Sequence, residues 1–280
     1  MTCRILLALD GSAASEAALD EVERISTGGA SVHFLHVVPM LPSSVDATSA
    51  SVMAGHDRAL SYLGELRERL PEVRGLDLIR TGDPAEAILQ AAREFNIDLV
   101  AMGTYVRRDK AKTFLGSVAE GVLRQAGHPV LLKRPGTTPT RSQLRRILVP
   151  LDESVESVSI LPAIKDLALL TGAEVVFLHV SERHASGDPR EKLLKLAADF
   201  EKTDVAFWQT IAEGDAVEGI HAHAESLDAD LIAMTTPAGG GLQDTLVGRS
   251  ARTVLGGTDR AVFLQKPVTG PMVSKVWKYQ

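Results

Sequence analysis

Three short stretches carry residues that could bind a phosphate and a sugar: Asp10-Gly11-Ser12, Gly103-Thr104 and Gly116-Ser117. A glycine at the end of a strand lets a ligand approach the backbone closely. The free N–H groups at the start of a helix favour an anion, and a carboxylate accepts hydrogen bonds from ribose hydroxyls or binds a metal ion. These residue types predict a nucleotide site if the fold brings the three stretches together.

Other residues with reactive side chains form weaker patterns. His36 and His179 each lie in an apolar run, which favours a buried, hydrogen-bonded histidine over a ligand or a base. His221 and His223 are two residues apart on a predicted helix and share no face, so they form a poor metal pair. Cys3 is the only cysteine, which excludes an internal disulfide and favours a buried, inert thiol.

Several enzyme signatures are missing from the sequence. There is no Gly-x-x-x-x-Gly-Lys-Ser/Thr motif, no Gly-x-Ser-x-Gly elbow and no zinc signature. No residue near Gly103 is an obvious general base for attack on a phosphoryl group. The sequence therefore favours ligand binding over turnover, with slow hydrolysis left open.

Size and composition narrow the class of protein. The chain has 280 residues, enough for two domains, with 45% hydrophobic and 24% charged residues, the balance of a soluble globular protein. The net charge of -6 argues against a binder of nucleic acid or of acidic membranes. No apolar run is long enough to span a bilayer and no signal peptide is recognised, so we expect a cytoplasmic protein.

Predicted strands and helices alternate along the first half. Near-continuous apolar runs predict strands buried on both faces of a parallel sheet, at 4–9, 32–38, 76–80, 99–102 and 130–132. Ser12 is predicted to cap the first helix, and Asp83 with Pro84 to start another. Residues 40–54 predict a loose loop, and the segment between Gly103 and Gly116 predicts a polar loop.

The same pattern starts again after a segment rich in Pro, Gly and Thr. Asp152 repeats Asp10 at an offset of 142, His179 repeats His36 at an offset of 143, and Gly214 repeats Gly82 at an offset of 132. The second copy has therefore lost about eleven residues between its second and third strands, as surface loops and their flanks tolerate. We predict a first domain at 1–135, a linker at 136–144, a second domain at 145–268 and a tail at 269–280.

These residues resemble the universal stress protein family. The Asp-Gly-Ser after the first strand, the His-Val of the second strand and the spacing from Gly103 to Ser117 carry the resemblance, which covers both halves nearly end to end. It implies a tandem member with a stress-response or signalling role. The implied fold is two Rossmann-like, doubly wound domains of the HUP (adenine nucleotide α-hydrolase-like) type, each with a five-stranded parallel sheet in the order 3-2-1-4-5.

The resemblance also implies how the halves associate. In the family, paired domains often meet through their last strands, so residues 130–132 are predicted to lie against 262–264. The chain would then form an intramolecular pseudo-dimer. A homodimer of the whole chain stays open.

The ligand and its site follow from the same resemblance. The implied ligand is an adenine nucleotide, ATP with or without Mg²⁺, bound in the first half. The residues implied around the adenine and ribose are Ala8, Asp10, Val38, Met102, Gly103 and Thr104. Those implied around the phosphates are Gly116, Ser117, Val118 and Ala119. Asp10 is the candidate Mg²⁺ ligand, with a role in the turn as the alternative.

The first half departs from the family pattern at one position. Nucleotide-binding members carry Gly, two residues, Gly, nine residues, then Gly with Ser or Thr, and Val106 stands at the second glycine. A β-branched residue resists positive φ and narrows the space for a phosphate. Four basic residues of the loop either reach a triphosphate and compensate or remain solvated. They are Arg107, Arg108, Lys110 and Lys112.

The second half departs further. Thr235, Ala238 and Gly248 stand at the three glycine positions, followed by Arg249 in place of Ser. Pro237 also removes a backbone donor from the loop. We therefore expect no ATP in the second half, with Arg249 either filling the site, which we favour, or binding an anion.

Three functions follow, from different classes. The first hypothesis is a regulatory protein that binds ATP and shifts between conformations. The second is a nucleotide-free scaffold that acts through protein–protein contacts, which Val106 favours. The third is a weak metal-dependent hydrolase that acts on ATP or another adenylated or phosphorylated substrate through Asp10.

Overall fold

The structure, a computed structural model, describes residues 3–39, 49–109, 112–136, 141–152, 154–181, 200–236 and 249–267. At 49, 50, 106–109, 112–114 and 249 it describes the backbone alone.

The first half alternates strands and helices as predicted. Its strands are β1 (Arg4–Leu9), β2 (Ser31–Val38), β3 (Asp77–Thr81), β4 (Leu99–Gly103), β5 (Val106–Asp109), β6 (Lys112–Leu115) and β7 (Val130–Lys133). Its helices are α1 (Leu19–Ser26), α2 (Ser49–Arg69), α3 (Pro84–Glu94) and α4 (Ser117–Gln125), with a 3-10 turn at Ser15–Ala18 before α1.

The second half repeats this order. Its described strands are β8 (Arg146–Pro150), β9 (Glu174–Ser181), β10 (Phe207–Glu213), β11 (Leu231–Thr235) and β12 (Ala261–Gln265). Its described helices are α5 (Val155–Val158), α6 (Leu161–Thr171), α7 (Ala216–Ser226) and α8 (Arg249–Gly257). The apolar runs of the sequence form the strands because each is covered on both faces, as in β1, where Ile5, Leu6 and Leu7 are fully buried.

One ten-stranded sheet runs through both halves in the order β10-β9-β8-β11-β12-β7-β4-β1-β2-β3. Each half contributes five parallel strands in the order 3-2-1-4-5, so the predicted fold class is confirmed. The halves join where β12 pairs antiparallel with β7, with Phe263 opposite Leu131. The predicted contact between 130–132 and 262–264 is therefore confirmed.

Each face of the sheet carries one apolar cluster that spans both halves. One cluster contains Ile5 and Phe34 of the first half together with Phe177 and Phe263 of the second. The other cluster contains residues of β1, β4 and α4 together with residues of β8, β11 and α8. Because neither cluster ends at the β7–β12 seam, the two halves share their cores.

The seam is approximately two-fold symmetric in its polar contacts as well. Arg134, just after β7, donates a hydrogen bond of 2.8 Å to the carbonyl oxygen of Gly256. Lys266, the counterpart of Arg134 after β12, donates to the carbonyl oxygen of Arg124, the counterpart of Gly256. The two copies therefore exchange the same type of contact across the seam.

Two local predictions were wrong and one was confirmed. The Ser12 hydroxyl accepts a hydrogen bond from the Ser15 N–H, but this closes a turn, and α1 begins only at Leu19. Residues 49–54 belong to α2 and not to a loop, whereas 40–48 lie outside the described residues. Asp83 caps α3 as predicted, since its carboxylate accepts the Glu86 N–H at 2.9 Å.

Candidate functional site

The strand order reverses between β1 and β4, where a crevice opens at the carboxyl edge of a doubly wound sheet. Ala8 of β1 pairs with Met102 of β4, so Asp10 and Thr104 follow at neighbouring strand ends. Val38 ends β2, the next strand along. The elements that carry the predicted adenine and ribose residues thus end at one edge of the sheet.

Asp10 is held in a tight turn as a carboxylate. Its Oδ1 accepts the Ser12 N–H at 2.9 Å, and its own N–H donates to the Ser15 hydroxyl at 3.2 Å. Gly11 between them has a φ of 81°, which favours glycine. Burial acts to raise the pKa of Asp10, but hydrogen bonds from Ser12 and Ser15 and the nearby His36 outweigh it, so the pKa is lowered. Asp10 is therefore anionic at neutral pH.

The space beside Gly103 is taken by the chain itself. A Cβ added to Gly103 would lie 1.7 Å from the carbonyl oxygen of Ala14 and 2.9 Å from the Cα of Ser15. The 3-10 turn that follows Asp10 therefore packs directly on the end of β4. The small residue at this strand end serves the packing of the chain's own backbone, which the sequence did not reveal.

The segment predicted as a polar loop between Gly103 and Gly116 contains an antiparallel ribbon. Val106 of β5 pairs with Leu115 of β6, so the residue at the second glycine position is part of an extended strand. The ribbon lies against α8 of the other half. The prediction of a polar loop was wrong for 106–109 and 112–115, because pairing between these two segments satisfies backbone groups that a loop would leave to water.

Helix α4 starts beside this edge without a side-chain cap. Gly116 occupies the N-cap position, and no side-chain cap bond is seen there among the described residues. Ser117 opens the helix, Val118 is half-buried and Ala119 is buried. By contrast, Asp83 caps α3 with its carboxylate. The first N–H groups of α4 are therefore available to an anion.

Thr104 differs from the other predicted ligand contacts. Its N–H donates to the carbonyl oxygen of Lys133 at 2.9 Å, and its hydroxyl donates to the carbonyl oxygen of Tyr105 at 3.3 Å. Only 4% of the residue is exposed. Both of its donors already have partners within the chain.

The second half has a cavity of about 410 Å³ at the corresponding place, where β8 and β11 end. Its described lining contains Pro150, Leu151, Asp152, Ser154, Glu156, Ser157, Leu178, Val180, Ala216, Ile220, Met234, Thr235, Ser250, Ala251 and Pro267. Six of these are the counterparts of predicted site residues of the first half: Pro150, Asp152, Met234, Thr235, Ser250 and Ala251. The cavity is of the size that holds small ligands.

A model of the universal stress protein family matches residues 1–134 and 143–264. The chain belongs to the universal stress protein family. Among similar proteins, a universal stress protein of Thermus aquaticus is 34% identical over 133 residues, which cover 46% of this chain and 97% of that protein. One of Mycolicibacterium smegmatis is 29% identical over 135 residues, 47% of this chain and 45% of that protein. The aligned segment thus spans about half the length of that second relative.

A solved structure extends the likeness over both halves. A universal stress protein from Archaeoglobus fulgidus superimposes with a TM-score of 0.75, covering 94% of this chain and 98% of that one at 22% identity. At this identity the likeness concerns the fold. Together with the two family matches it confirms the tandem arrangement of universal stress protein repeats.

The histidines of the two universal stress protein repeats have separate surroundings. His179 Nδ1 lies 3.1 Å from the carbonyl oxygen of Leu151, whereas His36 Nδ1 has no hydrogen-bond partner among the described residues. His221 and His223 bond to different backbone carbonyls, as two residues on different faces of a helix must. Burial raises the pKa of the Cys3 thiol, in agreement with an inert cysteine.

Among the described residues we find neither a candidate metal cluster nor a candidate membrane-spanning helix. Within the described ranges, no three His, Cys, Asp or Glu side chains group as a metal site. In the same part of the chain, no helix has the length and apolar character needed to cross a bilayer.

The cavity of the second half was not predicted from the sequence, nor were Glu156, Ser157 and Ser250, which line it. A comparison of the two copies could have indicated two of these residues, because the polar Glu156 and Ser250 stand where the first half has the apolar Ala14 and Val118. The expectation that Arg249 fills this site concerns a side chain outside the described ones. The described residues leave the space open.

Proposed function

We propose that this chain is a regulatory universal stress protein that binds an adenine nucleotide, ATP with or without Mg²⁺, in its first half. The uncapped start of α4 at Gly116, next to the ends of β1 and β4, carries this proposal. Its N–H groups and the positive end of the helix dipole favour a phosphate. Asp83, Ser154 and Asp215 cap α3, α5 and α7 with their side chains, whereas α4, like α1 and α6, has no side-chain cap bond among the described residues.

Charge supports the choice of the first half. The segment 105–117 contains four basic residues and one acidic residue, whereas the corresponding segment 237–249 contains one of each. An excess of positive charge beside a helix start attracts a triphosphate. The anionic Asp10, held by Ser12, would accept hydrogen bonds from ribose hydroxyls or take part in binding Mg²⁺.

Ligand binding would act through conformation. A nucleotide that contacts both Asp10 and Gly116 favours the arrangement in which their elements are close. The ribbon β5–β6 lies between this site and α8, so it is the element through which binding in one half would affect the other. Regulation of this kind needs differential affinity for two conformations and no hydrolysis.

Two observations, at Gly103 and at Val106, favour a different function. The Ala14 carbonyl occupies the space at Gly103, and Val106 is part of β5, so two of the positions that admit a phosphate in nucleotide-binding family members are otherwise used here. A nucleotide-free scaffold that presents the shared sheet and the ribbon to partner proteins is the alternative.

Matched substitutions in the two repeats test the proposal. Gly116→Asp puts a carboxylate at the start of α4 and should abolish the thermal shift caused by millimolar Mg-ATP, whereas Gly248→Asp should leave it unchanged. For the parent protein, a ligand at 100 times its dissociation constant stabilises by about 2.7 kcal/mol. Mass spectrometry of denatured protein should also detect co-purified nucleotide. An equal loss in both variants would contradict the assignment to the first half, and no shift with no extracted nucleotide would favour the scaffold.

A further inference from the structure

The ten-stranded sheet has two edge strands, and they differ in how they are protected. Among the described strands, β3 ends the sheet in the first half and β10 ends it in the second. An edge strand presents a row of backbone donors and acceptors to which another strand can add. Natural proteins usually prevent this with charged side chains or by keeping the strand short. The residues of each edge therefore indicate whether it can accept a further strand.

The edge at β3 is protected. The strand has five residues and carries two charged side chains, Asp77 and Arg80. Asp77 accepts a hydrogen bond from Arg67 at 2.7 Å, and Arg80 donates to Glu94 at 2.9 Å, so both charges are held beside the strand. A strand that approached β3 would have to cover or displace these ion pairs, which opposes pairing there.

The edge at β10 lacks this protection. The strand runs over seven residues, Phe207–Glu213, and its first six carry no charge. Aromatic, β-branched and other residues that favour strands dominate it. None of the seven is buried, and Trp208 is 37% exposed, whereas five residues of the neighbouring β9 are buried. Because the crossover helices of a parallel sheet pack on its faces, they leave the outer side of such a strand open.

The backbone groups that face outward from β10 follow from its pairing with β9. The Val175 N–H donates to the Ala206 carbonyl oxygen at 2.9 Å, and the Gly214 N–H donates to the Ser181 carbonyl oxygen at 3.1 Å. Since backbone groups alternate in direction along a strand, every second residue between 206 and 214 faces β9. The other four face outward, and no hydrogen bond of their N–H or carbonyl groups is seen in the described part of the chain. They are Phe207, Gln209, Ile211 and Glu213.

A second copy of β10 matches this edge in one register. With a two-fold axis at Thr210, antiparallel pairing places Gln209 opposite Ile211 of the partner subunit and Phe207 opposite Glu213 of the partner subunit. Each such pair exchanges two hydrogen bonds, so every outward donor and acceptor finds a partner. An axis at Gln209 or Ile211 would leave one outward residue without a partner in the strand.

The side chains are compatible with the same register. Thr210 faces its own symmetry mate in a pair without backbone hydrogen bonds, where side chains come closest, and pairs of threonines are favourable there. Trp208 lies opposite Ala212 of the partner subunit, which leaves room for its ring. The charge of the strand is confined to Glu213, which faces Phe207, so no two carboxylates of the strands stand opposite each other.

We propose that β10 is the surface through which this chain binds a second copy of itself, by antiparallel strand addition about an axis at Thr210. The sheet then continues through the dimer. Added strands bury little surface beyond themselves, so the dimer is weak and depends on concentration. Five strands of the sheet lie between β10 and the β4 end of the first-half crevice, so this surface does not rest on the proposed nucleotide binding.

Charge reversal on the axis tests the surface and its register. Sedimentation velocity of the full-length chain from about 1 µM to about 200 µM, the range of weak complexes, should show a shift from monomer to dimer. Thr210→Lys and Thr210→Glu each place like charges opposite one another and should weaken the dimer at least about tenfold, whereas their equimolar mixture should dimerise again. Thr81→Lys puts the same charge on β3 and should change nothing. A chain that stays monomeric, dimerisation that survives both Thr210 variants, or a mixture that does not recover would overturn the proposal.

An uncharged variant and hydrogen exchange complete the test. Gln209→Pro removes an outward N–H that the fold itself does not use, so it should weaken the dimer while circular dichroism shows a folded chain. Exchange of the amides in β10 should slow as the protein concentration rises, whereas exchange in β3 should not change. An undiminished dimer in Gln209→Pro would contradict strand addition. Protection of the outward amides that is independent of concentration would show that another segment of the same chain covers β10, and would overturn the proposal.

Discussion

Arg24 of α1 and Asp230, just before β11, form a buried ion pair that joins the two halves. Their side chains are 5% and 9% exposed. Arg24 also pairs with Glu21 at 2.8 Å and donates to the carbonyl oxygen of Gln143 at 2.9 Å. Lys133 at the end of β7 lies 3.9 Å from Glu21, so a second cation contributes to the same cluster. Buried charges of this kind require partners, because an unpaired one is costly.

Removal of Arg24 should therefore destabilise the whole chain. In Arg24→Met, Asp230 loses its buried cation and Glu21 keeps only Lys133, 3.9 Å away. Loss of one partner of a buried pair costs about 3–5 kcal/mol. Urea unfolding followed by circular dichroism measures the change. Arg69→Met is the matched control, since Arg69 is 62% exposed in its pair with Glu16 and should cost less than about 1 kcal/mol. Equal effects of the two variants would contradict the role given to the buried cluster.

The contact between Ala14 and Gly103 predicts a strong difference between two glycines. Gly103→Ala must displace the 3-10 turn, because the added Cβ lies 1.7 Å from the Ala14 oxygen, and we expect a loss of about 1–3 kcal/mol. Gly116→Ala meets only the Thr104 hydroxyl at 3.4 Å, so it should cost no more than about 1 kcal/mol through the weaker preference for alanine at an N-cap. Thermal unfolding of both variants gives the comparison. A smaller loss for Gly103→Ala than for Gly116→Ala would show that the turn moves freely.

His33 makes stability depend on pH on the acid side. Burial, followed by the charges of Arg67 and Arg4, lowers the pKa of His33 below its ordinary value of 6.5. The unfolded chain then binds more protons than the folded one as the pH falls below about 6.5, so stability present above that pH is lost as the pH falls through the folded pKa. Burial lowers the pKa of His36 and His128 in the same way.

The variant His33→Leu should reduce this dependence. Its free energy of unfolding should decline less between pH 7.5 and pH 5.5 than that of the parent, with the remaining decline due to His36 and His128. Urea titrations at the two pH values measure the difference. A decline as steep as that of the parent would contradict the assignment to His33, whatever the change in absolute stability.

The seam predicts that the halves unfold together. Phe263 is fully buried opposite Leu131, and the apolar cluster around it includes Ile5 and Phe34 of the first half. Phe263→Ala should cost about 3–5 kcal/mol and should lower hydrogen-exchange protection in β1 as well as in β12. Leu60→Ala, at a residue 57% exposed on α2, is the control and should have little effect. Loss of protection confined to the second half would contradict a shared core.

Much of the fold could be predicted from the sequence because its signals are local. The apolar runs of β1, β4 and β11 identify strands wherever they lie, and Asp83 with Pro84 marks a helix start within four residues. Because the chain contains two copies of the repeat, each of these signals occurs twice. The ribbon β5–β6 was missed because half of its residues are charged and its apolar residues do not alternate with polar ones, so only pairing reveals them as strands.

For the candidate site, too, the local features could be predicted from the sequence and the contacts between distant residues could not. The sequence alone determined that Asp10 follows a strand end and that Gly116 stands at a helix start. It also determined that Asp152 occupies the position of Asp10 in the second repeat and that the glycines differ between the copies. Only the tertiary structure decided which groups meet: the Ala14 carbonyl on Gly103, Glu156 and Ser250 around one cavity, and Arg24 on Asp230. These contacts join residues up to 206 positions apart, and distances of that kind follow from the packing of whole elements.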